Sequence, residues 1–270
     1  MLSWAPVGKS GIEDIRVAPG RFETEKVLKR DVFGQIEVGV WHEDGKSEPA
    51  IRRLYTKNPI ARPLALILAG NEKNALTKLA PLARATGQIP TLLGRGRDFH
   101  VRGFIDAEVL SKIEEPLTVE FYNEAKAILR VMRRQGVCHN DLAKQANWLR
   151  MAGSQKPVLV DFQLALCSRN RRSKWFLTLC REDLRHLLKL KRRHFPVTAA
   201  EAGVLAKKAL PTRIWMATGK KVYLFVTRGI LGWEDRTGPE ERDDSRLFVK
   251  KNREKHREQD QKRDLEKIAR

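Results

Sequence analysis

The chain has 270 residues, 41% of them hydrophobic, which suits one two-lobed enzyme or two small domains. Its formal net charge of +20 and isoelectric point near 10.2 favour anionic partners such as nucleotides, nucleic acid or anionic lipid. No apolar run approaches the roughly 20 residues of a membrane span, and the N-terminus lacks the pattern of a signal peptide. Three widely spaced cysteines indicate reduced thiols in a cytoplasmic protein, and they argue against a disulfide framework or a zinc site.

The first part of the chain is predicted to form a small lobe over residues 21–103, after an irregular lead-in over residues 1–20. Apolar and polar residues alternate over residues 35–41, which predicts a strand, and two further short segments also read as strands. An apolar stripe at helical spacing lies between the second and third strands. The predicted elements are strands at 35–41 and 50–55, a helix at 63–82 and a strand at 99–104.

Residues 104–233 are predicted to form a larger, helical lobe. Residues 119–134 have apolar side chains on one helical face, and residues 157–160 read as a short buried strand. Two more helices are expected at 181–192 and 199–209. The final segment, 234–270, is rich in charges of both signs and poor in apolar residues, which predicts a mobile or partly helical tail.

Two segments carry residues suited to phosphoryl transfer. Residues 139–149 read HNDLAKQANWL, and residues 158–165 read VLVDFQLA. Phosphoryl transfer needs one carboxylate at the acceptor hydroxyl, and a carboxylate with an amide oxygen on magnesium. The two segments contain residues of these types, Asp141, Asn147 and Asp161, and an isolated H-x-D without the others would carry little weight.

These segments resemble the catalytic loop and the D-F-G segment of the protein-kinase superfamily. The resemblance implies an α+β, bilobal protein-kinase-like fold with a small β-rich N-lobe, a larger helical C-lobe and a charged C-terminal tail. It also implies that ATP and Mg²⁺ are the cofactors. Asp141 would be the catalytic base, and Asn147 and Asp161 would bind the metal. His139, which would hold the loop rather than act as the base, and Lys144 complete the candidate catalytic residues.

Three residues of the small lobe are candidates for holding the nucleotide. Kinases carry a lysine on a strand of this lobe, paired with a helix glutamate. The resemblance places Arg52 at the lysine position and Glu72, twenty residues later, as its partner; the alternative is a surface arginine and a solvated glutamate. Arg53, on the opposite strand face, is the choice if the register differs by one. Gly34 is a lone glycine where kinases have a glycine-rich loop, and the backbone there could hold phosphate.

Departures from the kinase pattern indicate a particular branch of the superfamily. The gap from Asp141 to Asn147 is one residue longer than in H-R-D-x-x-x-x-N, Gln163 replaces the D-F-G glycine, and no A-P-E segment follows. The chain looks more like compact bacterial kinase-like proteins grouped with lipopolysaccharide-core kinases and RIO-type kinases. Residues 181–189, REDLRHLLK, also look like a signature of a bacterial subgroup described as serine/threonine-kinase-like.

The main functional hypothesis is an ATP-dependent phosphotransferase. It would act on a hydroxyl of an anionic acceptor, a lipopolysaccharide-core sugar or a protein serine or threonine. The acceptor would approach a basic stretch directly after the D-F segment, which could equally be an ordinary solvated face. The stretch contains Arg169, Arg171, Arg172 and Lys174.

The alternative is a pseudokinase or a membrane-surface scaffold that binds nucleotide or anionic lipid without turnover. Residues 214–233 contain apolar and aromatic clusters interleaved with lysine and arginine, which could lie peripherally at the inner face of the membrane. A buried helix of the C-lobe explains the same pattern. Nucleic acid is the least favoured partner, because stacking aromatics are not evident among the basic residues.

Overall fold

The computed structural model of the chain describes residues 20–110, 113 and 115–206. Almost all of the predicted lead-in, the apolar segment 214–233 and the charged tail 234–270 lie outside the described residues, as does the end of the helix expected at 199–209. No helix within the described ranges is long and apolar enough to cross a membrane.

An antiparallel sheet of five strands forms the N-lobe. Two strands, the first and the fourth, were not expected from the sequence, whereas the other three lie at the predicted positions. The strands are β1 (Arg21–Asp31), β2 (Gly34–Glu43), β3 (Lys46–Tyr55), β4 (Leu92–Arg95) and β5 (Phe99–Gly103), arranged in the order β1-β2-β3-β5-β4.

The two faces of this sheet have different surroundings. Because successive side chains of a strand point to opposite faces, Ala50 and Arg52 share one face of β3, while Arg53 and Tyr55 share the other. The face of Ala50 carries a small apolar cluster with Trp41 and Val101. The opposite face is turned to the long helix that follows β3.

That helix, α1 (Arg62–Thr86), connects the two lobes. Pro63 lies in its first turn, where a backbone N–H would have no intrahelical acceptor, and Gly87 ends it in the left-handed conformation with φ 67°. Leu76 and Leu79 are fully buried in the main hydrophobic core, which also contains apolar side chains of the C-lobe. One side of the helix therefore packs in the main core, and another side packs against the sheet.

The C-lobe is mainly helical, and it includes two small antiparallel sheets that carry the loops of interest. The helix expected at 181–192 begins earlier, because residues 174–180 already bury Phe176. The helices are α2 (Val119–Arg134), α3 (Lys174–Lys191) and α4 (Ala199–Ala206). The strands are β6 (Ala107–Val109), β7 (Val137–Cys138), β8 (Trp148–Met151), β9 (Pro157–Leu159) and β10 (Leu166–Cys167), paired as β6-β8-β9 and β7-β10.

Helix α4 is attached to the rest of the lobe by buried charges. The Glu201 carboxylate accepts hydrogen bonds from Lys126 Nζ of α2 at 2.8 Å and from Lys191 Nζ of α3 at 2.9 and 3.0 Å. Burial would raise the pKa of Glu201, but the two ammonium groups lower it to about 2. The described residues thus confirm the expected α+β, bilobal arrangement.

Candidate active site

The catalytic loop brings Asp141 and Asn147 together despite its extra residue. A 3-10 turn at Gln145–Asn147 follows Lys144 and takes up the added length. Asn147 Nδ2 donates to the backbone oxygen and to Oδ2 of Asp141, both at 3.0 Å. Since only the NH₂ group of the amide can donate to a carboxylate, the amide oxygen of Asn147 remains as its potential metal ligand.

The segment that carries Asp161 is tied directly to this loop. Val160 N donates to the backbone oxygen of Asn147 at 3.1 Å, and Val160 O accepts from His139 Nε2 at 2.9 Å. Asp161 itself has φ 64° and ψ 65°, a left-handed conformation that costs a non-glycine residue about 1 kcal/mol. Such strain is retained where surrounding structure enforces it, and it is common at functional sites.

His139 is a buried positioning residue in this arrangement. Its ring is fully buried and lies against Phe162, with the ring centroids 4.7 Å apart. Burial lowers the pKa of His139, and the carbonyl of Val160 fixes the proton on Nε2. A neutral ring held in this way orients the loop and does not reach solvent, so the structure gives no support to its use as an acid or base.

Asp183 of α3 binds the backbone of this loop, a role that was not predicted from the sequence. Its carboxylate accepts hydrogen bonds from the backbone N–H groups of His139 at 2.7 Å and Asn140 at 3.0 Å, and from the Cys138 thiol at 3.1 Å. Asn140 has φ 62°, a conformation that lets two successive N–H groups point to one carboxylate. Burial raises the pKa of Asp183 to about 6, although the three hydrogen bonds oppose that rise.

The donor set fits magnesium better than a soft metal. Within the described residues no group of three or more His, Cys, Asp or Glu side chains could hold a metal ion. Magnesium typically takes one or two protein oxygen ligands and completes its shell with water and substrate phosphates. The Asp161 carboxylate and the Asn147 amide oxygen are ligands of this kind, and no described side chain donates a hydrogen bond to the carboxylate of Asp161.

The expected pair of Arg52 and Glu72 is wrong. Arg52 lies on the sheet face that is turned away from α1, and it donates to Glu37 Oε2 through Nε at 2.8 Å and Nη2 at 2.6 Å. Arg52 also donates to Thr24 and lies over the ring of Phe22 at 4.6 Å. Arg52 cannot reach Glu72 because successive side chains of a strand face opposite sides of the sheet, and Arg52 faces away from α1.

Glu72 has other partners on the face that α1 covers. It is fully buried, and its Oε1 accepts from Arg102 Nη1 at 2.7 Å, while His100 Nε2 lies 3.3 Å from Oε2. Burial would raise the pKa of Glu72, but Arg102, His100 and Arg53 together lower it to about 2.

Arg53 shares this face with His100, its cross-strand neighbour. It is close enough to influence Glu72 electrostatically, yet no described residue accepts a hydrogen bond from its guanidinium. Arg53, and not Arg52, is therefore the β3 arginine beside Glu72.

Helix α1, which contributes Glu72 to the sheet contact, also contacts the Asp161 segment. Asn71, the neighbour of Glu72, donates from Nδ2 to the backbone oxygen of Gln163 at 3.1 Å. The charges of Asp161 and Glu72 both act on His139. The sheet face with Arg53, His100 and Arg102 is consequently turned to the same region as the loop that contains His139.

The remaining candidates have simpler surroundings. Gly34 has φ 144°, and a Cβ there would lie 1.9 Å from the Leu54 carbonyl oxygen, so backbone packing alone requires glycine. The turn between β1 and β2 contains only Val32 and Phe33, which is not an extended glycine-rich loop. Lys144 is exposed, and its backbone N–H donates to the backbone oxygen of Asp141 at 3.4 Å.

The basic stretch after the D-F segment forms a compact turn. Asn170 accepts from Arg172 N through its side chain and from Ser173 N through its backbone oxygen, at 3.1 and 3.2 Å. Arg171 Nη1 donates to the backbone oxygen of Arg134 at the end of α2, at 2.7 Å. Arg169, Arg172 and Lys174 are exposed, and none has an ion-pair partner among the described residues.

A cavity of about 400 Å³ lies between the C-terminal end of α1 and the segment that follows β5. Phe104, Ile105 and Met151 are part of its lining, and none of the candidate catalytic residues is. It is therefore distinct from the site around Asp141.

No protein-family model matches the sequence, and no curated protein does so at a significant level. Among solved structures, the chain is similar to the Rio2 kinase from Chaetomium thermophilum, with a TM-score of 0.47 and 16% identity. That match covers 65% of this chain and 60% of the kinase, less than two thirds of its length. An ADP/Mg²⁺-phosphoaspartate complex of the same kinase matches with a TM-score of 0.47 and 15% identity, over 86% of this chain and 72% of that one.

The class of fold follows from the chain's own architecture. A five-stranded antiparallel sheet is joined through α1 to a helical lobe, and the loop with Asp141 and Asn147 lies against the segment with Asp161. This combination is a protein-kinase-like fold.

Proposed function

We propose that the protein is an ATP-dependent phosphotransferase that requires Mg²⁺ and acts on a hydroxyl group. The observation that carries the proposal is the hydrogen bond of Asn147 Nδ2 to the Asp141 carboxylate, next to the strained Asp161. These residues supply a carboxylate for the acceptor and two oxygen ligands for a metal. A cytoplasmic location belongs to this proposal, and the three cysteines are free thiols, as such a location requires.

The chemistry assigned to the chain's own residues is mainly positioning. Asp141 would orient the acceptor hydroxyl and take its proton, while Asn147 holds the Asp141 carboxylate in place. Asp161 and the Asn147 amide oxygen would hold Mg²⁺, which neutralises phosphate charge when bound. Asp183 and His139 would keep the loop in its reactive conformation through the hydrogen bonds described above.

Arg53 is the residue we assign to the nucleotide phosphates. It lies on the sheet face turned to α1, and Glu72 is already paired with Arg102. A guanidinium binds phosphate oxygens in a bidentate manner and keeps its charge at any working pH. Arg52, engaged with Glu37 on the other face, has no part in this assignment.

The acceptor would be anionic. Arg169, Arg172 and Lys174 follow the Asp161 segment, and they offer a phosphorylated or acidic substrate three exposed positive charges that form no ion pair with any described residue. The two candidate acceptors are a lipopolysaccharide-core sugar and a protein serine or threonine. Membership of the bacterial branch of kinase-like proteins is also part of this proposal.

One observation favours nucleotide binding without turnover as a second candidate. The β1–β2 connection is the two-residue turn Val32-Phe33, and the adjacent Gly34 of β2 is required by packing against Leu54, so the usual glycine-rich cover over the phosphates is missing from this turn. A pseudokinase would retain binding through Asp161 and Asn147 but would transfer phosphate to no acceptor.

Titration of Mg-ATP into the full chain tests the proposal. We expect saturable binding that disappears with EDTA and weakens at least tenfold in Asp161→Ala, with thermal unfolding used to check that the fold is retained. Asp98→Ala removes an exposed carboxylate of the N-lobe and should leave affinity unchanged. Absence of Mg-ATP binding to the wild type, or equal binding by Asp161→Ala, would refute the metal role. Binding with no phosphate release or transfer would select the pseudokinase.

A further inference from the structure

The start of α3 and the turn before it combine exposed positive charges with exposed apolar side chains. Trp175 is 56% exposed and Leu177 is 38% exposed, and they lie on either side of the buried Phe176 in the first turn of the helix. The sequence contains no acidic residue between Asp161 and Glu182, and Glu182 is buried. We call the surface formed by Arg169, Arg172, Lys174, Trp175 and Leu177 the α3 tip.

The α3 tip is held in a defined shape. Asn170 closes the turn with two hydrogen bonds, and Arg171 joins it to the end of α2 through the Arg134 carbonyl. Ser168 N also donates to the Gly136 backbone oxygen at 2.8 Å. The exposed charges therefore project from an ordered base, so little conformational entropy is lost when they bind a partner.

We propose that the α3 tip docks the protein on an anionic lipid bilayer. Tryptophan is favoured at the membrane interface, where its apolar ring and its polar N–H are both accommodated, and leucine adds apolar area beside it. Lysine and arginine near an anionic surface strengthen such binding, and their long side chains reach the headgroups while the ring inserts.

A bilayer suits this surface better than single-stranded nucleic acid. Nucleic-acid grooves use several aromatic rings for successive bases, whereas the α3 tip has one ring, and Leu177 offers no face for stacking. The surface contains the three cations assigned above to an anionic acceptor but none of the residues assigned to the nucleotide, and the proposal does not depend on phosphoryl transfer. It would nevertheless bring an acceptor at the membrane surface close to the turn that follows Asp161.

Co-sedimentation of the full chain with vesicles tests the proposal. Phosphatidylcholine vesicles are compared with vesicles that contain phosphatidylcholine and phosphatidylserine in a two-to-one ratio. We expect binding to the anionic vesicles that weakens with salt. Changing Arg169, Arg172 and Lys174 together to Gln should lower the partition coefficient about a hundredfold. Trp175→Ser should lower it about tenfold.

Matched variants elsewhere on the protein provide the controls. Changing Arg21, Lys26 and Arg30 of β1 together to Gln removes the same charge from exposed positions, and Ile67→Ser removes an apolar side chain that is 61% exposed. Both should bind vesicles much more strongly than the α3-tip variants. If the tip and control variants lose vesicle affinity equally, binding depends only on net charge, and the proposal would then be wrong.

Two further outcomes would also overturn the proposal. One is unchanged vesicle binding in both tip variants. The other is loss of binding to a single-stranded oligonucleotide in these variants while vesicle binding stays intact, since the surface would then serve nucleic acid. Because all substituted positions are exposed, circular dichroism and thermal unfolding should match the wild type.

Discussion

Glu72 of α1 and Arg102 of β5 form an ion pair between the helix and the sheet, with Oε1 and Nη1 2.7 Å apart. The neighbouring Asn71 holds the backbone of Gln163, two residues after Asp161. One turn of α1 therefore connects the sheet to the segment that would bind the metal, and a charge on β5 holds that turn in place.

Removal of this pair should loosen α1. Glu72→Gln leaves Arg102 without its partner and should lower the free energy of unfolding by about 3 kcal/mol, because breaking one side of a buried pair leaves an uncompensated charge. Arg102→Gln should have a similar effect, and the double variant should lose less than the sum of both. Urea denaturation measures all three. Losses that add without interaction would mean that the two side chains act independently.

The two β3 arginines should differ in their effect on nucleotide affinity. Arg53→Ala is expected to weaken Mg-ATP binding about tenfold or more, because it removes the guanidinium that we assign to the phosphates. Arg52→Ala should leave affinity within about twofold while it lowers stability, because Glu37 then loses its partner. Calorimetry gives the affinities. Weaker binding in Arg52→Ala alone would show that the nucleotide uses the opposite face of the sheet.

Asp141→Asn should separate binding from turnover. The variant keeps the size of the side chain but cannot take a proton, so the rate of phosphate transfer or ATP hydrolysis should fall by about 10² to 10⁴. Affinity for Mg-ATP should stay within about threefold, since Asp141 is assigned to the acceptor hydroxyl and not to the nucleotide. Radiolabelled ATP reports the rate. Lys144→Ala serves as a comparison with a smaller effect, and a wild-type rate in Asp141→Asn would make this carboxylate structural only.

Asp183 should give the protein a measurable pH dependence. The pKa of Asp183 is raised to about 6, above the value of about 3.9 for an unfolded aspartate, so the folded state binds the proton more tightly. Its contribution to stability is therefore complete below pH ~4 and is lost as the pH rises through ~6.

The free energy of unfolding of the wild type minus that of Asp183→Asn should consequently fall, by up to about 3 kcal/mol, between pH 4 and pH 7. Urea titrations at several pH values measure this difference, and other carboxylates cancel in the subtraction. A difference that rises with pH would mean that the hydrogen bonds to His139 and Asn140 outweigh burial and that the pKa is lowered.

Local sequence determined the chemical groups of the site. Asp141 and Asn147 lie six positions apart in one loop, and a buried strand leads directly into Asp161, so two short segments were enough for the resemblance to kinases that predicts a common site. The helices α1 and α2 were likewise evident, because their apolar periodicity reports burial without reference to a partner. The start of α3 was not, since basic residues obscure its apolar face.

Only the tertiary structure decided which charges meet. Ile51-Arg52-Arg53 offers an arginine to each face of β3, and a period of two cannot say which face α1 covers. The partner of Glu72 comes from β5, thirty residues away. Asp183, which binds the backbone of the loop at His139 and Asn140, lies more than forty residues after that loop. Pairings over such separations depend on strand register and helix packing, which arise from the whole core and leave no signal in the neighbouring sequence.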